Sequence, residues 1–590
     1  MQSSRRLLFA QIKNIKWQRH LSHSAVLNND YEIKSRLGDI SIPNTSFLEQ
    51  LWRDSSKFKN LVALESAETK KAYTYDQLMK NMAVFATSLH KKLGLKFGDV
   101  VAIMLPNSPE FVVVAFGSLQ AGCVVTTLNP IYKEHEVEHQ SNITQPKVFV
   151  TTPSHYDTVV KGLKNAQIEA KIVLLDNANE QIPNGTIRYS EIAEKGEADY
   201  SLLDKIDRKD DDIAFIPFSS GTTGLPKGVE ITYKNLKASI EIMGNKDNCY
   251  AKMVEGNVQD IVPCILPFFH IYGLVITLIG HLTKGCKMIT MSSFSATLYL
   301  NLLQTEKASL LYVVPPIAIL LGKHPDVNRK HFRNVRHIVC GAAPLAASDV
   351  ENILEKAKTK IEINQGFGAT ETSSLTTATL IGQESYDYDS CGEVLAGITV
   401  KYVDPITGEP VPVGQKGEMY VKGPIVMKGY HKNEKATKES LTEDGFFKTG
   451  DLGYYKPGVG AYITDRIKEL IKVKGLQVAP AELESVLRSH PAVQEAGVIG
   501  VPHEFFGEVP KAFVIIKKEF KVTPDELQEY VANKVASYKK IEEVVLVDNI
   551  PKNLTAAYCL LTSQTVPDFR SRPLHQECKD LEEAYLIVLR

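Results

Sequence analysis

Apolar residues run unbroken through VVAIML (100–105), a length and composition that predict a buried strand. PNSP (106–109) closes that strand as a turn. Residues 110–119 then follow helical spacing, and GCVVTT (122–127) reads as strand again. The alternation continues through VFVT (148–151), IVLL (172–175), IAFIPF (213–218) and LLYVV (310–314). Strands interleaved with helices predict an α/β protein with mostly parallel sheets flanked by helices. Two stretches without Asp, Glu, Lys or Arg, 111–132 and 261–283, are long enough to cross a bilayer. Ser, Gln, Thr and Asn interrupt the first, and Pro263, Pro267, His270 and His281 the second. Both are therefore assigned to buried core elements, and no membrane span is expected.

A chain of 590 residues is too long for one ordinary core, so two or more domains are expected. With 44% hydrophobic and 23% charged residues it has the composition of a globular protein. A net charge of −1 without a basic stripe argues against nucleic-acid binding. The eight cysteines are scattered, with no zinc-type spacing, which argues for reduced thiols. The cluster YYKPGVG (454–460) is a loop signal, and the domain boundary is expected shortly after it. Arg5, Arg6, Lys13, Lys16 and Arg19 precede the first acid, Asp30. Residues 1–25 thus resemble a mitochondrial transit peptide. The alternatives are a plain basic start and a cytoplasmic or peroxisomal protein lacking its native C-terminal signal.

The densest chemistry lies in FSSGTTGLPKG (218–228), where three glycines, four hydroxyls and a lysine fall between Ser219 and Gly228. Glycine permits close backbone approach to a ligand. Successive N–H groups can cradle an anion, with Lys227 as a point charge. It is not a Walker A loop, because the position five after Gly221 is Pro226. A strand, a polyphosphate loop and a helix from about Asn235 are predicted.

SSGTTGLPKG resembles the phosphate loop of the adenylate-forming superfamily, and the resemblance extends from about residue 45 to 555. Within it the chain is similar to 4-coumarate–CoA ligases and luciferase-like fatty acyl-CoA synthetases. The resemblance implies a large domain (45–464) and a small mobile α+β domain (465–555) turning about Asp465. It implies a small-molecule carboxylic acid substrate, with ATP, Mg2+ and coenzyme A. Ser219, Ser220, Gly221, Thr222, Thr223, Gly224 and Lys227 would hold phosphates. QGFGATE (365–371) resembles the family's G-Y-G-x-T-E word, so Gln365, Gly366, Phe367 and Thr370 would contact nucleotide and Glu371 would bind Mg2+. Ala342, in GAAPL (341–345), would line the adenine pocket, and Asp451 and Arg466 would meet the ribose. Lys468 and Gln477 complete the implied nucleotide contacts. His270, in LPFFHIYG (266–273), matches the histidine at the mouth of the carboxylate site. Its apolar neighbours, with VPPIAILL (314–321), favour a fatty or aromatic acid. Lys472 would act in the second half-reaction, with Lys474 and Gly475 against coenzyme A.

One departure is large. The family closes with a word of the type P-K-x-x-x-G-K-[IL]-L-R-R, whose second lysine serves adenylation. Here PKNLT (551–555) is followed by Ala556 and Ala557, and residues 556–590 resemble nothing in the family. Such a break implies an alternative final exon or a frameshifted gene model, and crippled adenylation. A non-catalytic nucleotide or acyl-adenylate binder and a luciferase-type monooxygenase are the rival readings.

Overall fold

The computed structural model describes residues 26–27, 31–176, 181–219, 226–343, 345–383, 387–467, 470–473, 476–503, 507–535 and 537–550. The expected α/β architecture is present, with a large N-terminal and a small C-terminal domain. The strand Val100–Met104 lies parallel to Val124–Thr127 on one side and to Val148–Thr151 on the other. Both its faces are covered, which is why it carries no polar alternation. The adjoining helix Pro109–Gln120 starts at Ser108, whose Oγ accepts from the Phe111 N–H at 3.2 Å, with Pro109 in the first turn. The charge-free stretch 111–132 is therefore most of this buried helix plus the next strand.

The second charge-free stretch begins as the strand Ile261–Cys264, parallel to Lys287–Thr290. It continues, after a loop, as the wide helical segment Tyr272–Ile279. Among the described residues no helix is long and apolar enough to cross a membrane. A further parallel run, Leu310–Val313, His337–Cys340 and Glu362–Gly368, leads into the antiparallel strand Leu375–Ala378.

A six-stranded sheet, antiparallel throughout, joins residues far apart in the chain. The cluster at 454–460 is part of it: Phe447–Lys456 and Gly460–Arg466 form a hairpin, with Gly458 at φ 80° in its turn. That sheet runs on to Arg466. Beyond it, Ile471–Val473, Leu476–Val478, Val493–His503, Gly507–Ile516 and Glu543–Leu546 form a separate sheet. Leu483, Leu487, Val498, Val514, Leu527 and Val531 give this α+β unit a core of its own.

Candidate active site

Open α/β sheets bind ligands at the carboxyl ends of their parallel strands, and the segments beginning at Phe218, Leu266, Val314 and Gly341 each follow such a strand. Phe218–Ser219 pairs antiparallel with Lys227–Thr232, so Ser219 and Lys227 face each other across a hairpin. Ser220, Gly221, Thr222, Thr223 and Gly224, between them, lie outside the described residues. Thr370 and Glu371 are buried in the short turn Thr370–Thr372. Glu371 Oε1 accepts from Ser219 Oγ at 2.7 Å and from the Tyr430 hydroxyl at 2.8 Å. Its Oε2 has no hydrogen bond among the described residues. A buried carboxylate with one oxygen pinned and the other open suits a hard cation that shares its shell with phosphate. Lys227 Nζ lies 4.9 Å from the centroid of the Tyr430 ring. Burial and the Glu371 carboxylate push Tyr430 well above the usual phenol range, so its hydroxyl stays protonated and donates.

His270 stands at a second cluster. A small cleft of about 30 Å³ is lined by Leu266, Phe269, His270, Tyr272, Val314 and Ala342, among others. The segments expected to line the acid pocket and the adenine thus border one cleft. Asn107 holds its wall: the side-chain amide donates to the carbonyls of Cys264 and Leu266, and its oxygen accepts from the Phe268 N–H. Thr127 Oγ1 donates to the Phe269 carbonyl at 2.7 Å. Gly273 is required by close approach, since a Cβ there would sit 2.1 Å from the Pro267 oxygen. We expect Gly273→Ala to destabilise the protein by about 3 kcal/mol in urea unfolding. A change near zero would mean that the 266–273 loop yields.

His270 Nδ1 accepts from the Tyr272 N–H at 3.3 Å, which leaves the ring proton on Nε2. Burial lowers its pKa from 6.5 to about 4. Between these values the unfolded chain binds more protons than the folded one, so stability falls as pH drops from 6.5 towards 4. An NMR titration of the His270 ring, assigned with His270→Gln, should show a midpoint below about 5. A midpoint near the ordinary histidine value would contradict a desolvated, neutral ring.

Ala342 takes the left-handed conformation, φ 70°, and Gly341 packs on the Tyr272 ring. Gln365 is engaged inside the protein: its amide oxygen accepts from the Leu345 N–H at 3.0 Å, and its NH₂ donates to the Leu345 and Tyr388 carbonyls. It ties the 341–345 turn to the strand Glu362–Gly368. Gly366 pairs with Ala378 in that strand, and Phe367 is partly buried beside it. Asp451 and Arg466 are partners across the hairpin, with Arg466 Nε donating to Asp451 Oδ1 at 3.0 Å. Asp465, buried, accepts from the Arg466 N–H. Lys472 and Gln477 are register partners in the backbone pairing of Ile471–Val473 with Leu476–Val478. Lys468, Lys474 and Gly475 lie outside the described residues.

The family model described as AMP-binding enzyme matches residues 51–431, and that of the AMP-binding enzyme C-terminal domain matches 482–556. The chain belongs to the AMP-binding enzyme family. This family member is 35% identical to 4-coumarate–CoA ligase 2 of Nicotiana tabacum over 532 residues, covering 89% of this chain and 95% of the relative. It is 34% identical to 4-coumarate–CoA ligase 1 of Arabidopsis thaliana, covering 89% and 93%. Among solved structures, ATP-bound MatB from Rhodopseudomonas palustris matches with a TM-score of 0.77 and 28% identity, covering 87% of this chain and 97% of that one. The o-succinylbenzoate CoA synthetase of Bacillus subtilis, in complex with its acyl-adenylate intermediate OSB-AMP, matches with a TM-score of 0.72 and 26% identity, covering 90% and 99%.

Two residues of this AMP-binding enzyme carry more of the site than their sequence context signals. Asn107 sits in a turn that reads as punctuation after a strand, yet it makes three hydrogen bonds to the His270 loop and the strand before it. Tyr430 has no periodic context, and the pairing of Gly429–Tyr430 with the Lys227 strand brings it beside Lys227 and Glu371.

Proposed function

We propose that this enzyme is an ATP-dependent acid–CoA ligase for a fatty or aromatic carboxylic acid. The observation carrying the reading is the arrangement of Ser219, Lys227 and Glu371 around one hairpin, with the apolar His270–Ala342 cleft in the same domain. In the first step the substrate carboxylate attacks the α-phosphorus of ATP, an acyl-AMP forms and pyrophosphate leaves. In the second, the thiol of coenzyme A attacks the acyl carbonyl and AMP leaves. Residues 219–227 hold the polyphosphate, with Lys227 countering its charge. Mg2+, when bound, supplies neutralisation of the charge that builds on the phosphates, and Glu371 would hold it through its open oxygen.

Ala342 and Phe367 flank the base, Thr370 bonds the phosphate, and Asp451 accepts from the ribose hydroxyls with Arg466 beside it. His270, neutral across the physiological range, directs Nε2–H toward the acid rather than carrying charge to it. In the second step residues 465–555 swing about Asp465, bringing Lys472, Lys474 and Gly475 to the thiol. The basic leader at 1–25 addresses the protein to mitochondria, which a leader–fluorescent protein fusion tests.

Incubation with ATP, Mg2+, coenzyme A and a panel of medium-chain, benzoic and cinnamic acids should yield AMP and an acyl-CoA. Failure of every acid, together with no calorimetric binding of ATP, rejects the ligase. Binding without turnover selects instead the nucleotide-binding reading, which Ala556 and Ala557 favour.

A further inference from the structure

We propose that Tyr430 is a positioning residue that sets the metal-holding carboxylate and the phosphate-binding lysine as one unit. The inference rests on the roles given above to Glu371 and Lys227. Three segments distant in sequence meet at this one side chain. Its hydroxyl donates to Glu371 Oε1 at 2.8 Å, beside the Ser219 bond to the same oxygen. Its ring lies under Lys227 Nζ at 4.9 Å, a separation at which a cation is drawn to a ring face.

The backbone fixes the ring from both sides. Gly429–Tyr430 pairs with the strand that carries Lys227, and the Tyr430 N–H donates to Thr437 Oγ1 at 2.9 Å. The Met427 N–H in turn donates to the Glu371 carbonyl at 2.8 Å, so residues 427–430 hold the acid by main chain and side chain together. Both hydroxyl donors fall on Oε1, which fixes the carboxylate plane and leaves Oε2 to the ligand. Losing one donor frees the carboxylate to rotate, while the lysine keeps its ring. Losing the ring as well releases Lys227. Metal handling and phosphate handling thus separate into hydroxyl and ring contributions of one residue.

Tyr430→Phe keeps the ring and deletes the hydroxyl, and Tyr430→Leu deletes both. Binding of ATP is followed by titration calorimetry on the full chain, with and without Mg2+. For Tyr430→Phe we expect the half-saturating Mg2+ concentration to rise about tenfold, the effect of one hydrogen bond to a charged group. ATP binding without metal should change less than about twofold, and Tyr430→Leu should weaken it about three- to fivefold. Adding Tyr430→Phe to Glu371→Gln should have almost no further effect on metal dependence, because the shared interaction is already gone. Ser219→Ala, which leaves Tyr430 in place, should move Mg2+ dependence in the same direction as Tyr430→Phe. Additive losses in the double variant, or an unchanged Mg2+ requirement in both hydroxyl deletions, overturn the proposal and leave the ligase reading standing. If the parent chain binds no ATP at all, both fall.

Discussion

The double substitution Ala556→Gly, Ala557→Lys is expected to raise acyl-AMP formation from acid and ATP by about 10²-fold. The reason lies in the closing word of the family, where a lysine serves the step in which negative charge gathers on the carboxylate and α-phosphate oxygens. The natural chain has a methyl group at that position. A preorganised donor at a reacting charge is typically worth about 10²–10³ in rate, so its absence should dominate the first half-reaction. The second should be spared, because IKVKGLQ (471–477) retains the residues assigned to it. Synthetic acyl-AMP plus coenzyme A therefore should give acyl-CoA at similar rates from the natural chain and the variant. Equal deficits in both half-reactions, unrelieved by the lysine, would place the fault in the folding of the small domain.

How much of this was legible depends on where each signal is stored. Strands buried on both faces, such as Val100–Met104 and Val148–Thr151, announce themselves as apolar runs. The six-stranded sheet does not, because Gly417–Lys422 alternates buried and part-exposed positions and its neighbour Thr399–Val403 pairs in turn with Glu32–Lys34, hundreds of residues away in the chain. Turn chemistry is ambiguous for the same local reason: Pro457–Gly458 serves a hairpin inside one sheet as readily as it would serve a linker. The family was legible in FSSGTTGLPKG (218–228) because its residue types are unusual together. The Tyr430 contact with Glu371 was not, since it is made by strand pairing across the fold. Gln365 illustrates a subtler limit. Its place in a motif points to the ligand, whereas its amide is engaged with Leu345 and Tyr388.

Asp451→Asn should weaken AMP binding by about 10²-fold, and the loss should depend on the sugar. Asp451 lies only 4% exposed in the strand Phe447–Lys456, where Arg466 Nε donates to Oδ1 and its own N–H donates to Thr449 Oγ1. A fixed carboxylate can accept from two neighbouring hydroxyls, and each hydrogen bond to a charged group contributes about 1.5–3 kcal/mol. An amide offers one acceptor oxygen and no charge. With 2′,3′-dideoxy-AMP the parent should already bind weakly, and Asp451→Asn should cost less than about threefold more. That non-additivity is the signature of a direct contact. If the substitution costs the same for both nucleotides, Asp451 acts through Arg466 and the hairpin instead. The ribose would then have to be held elsewhere in the crevice.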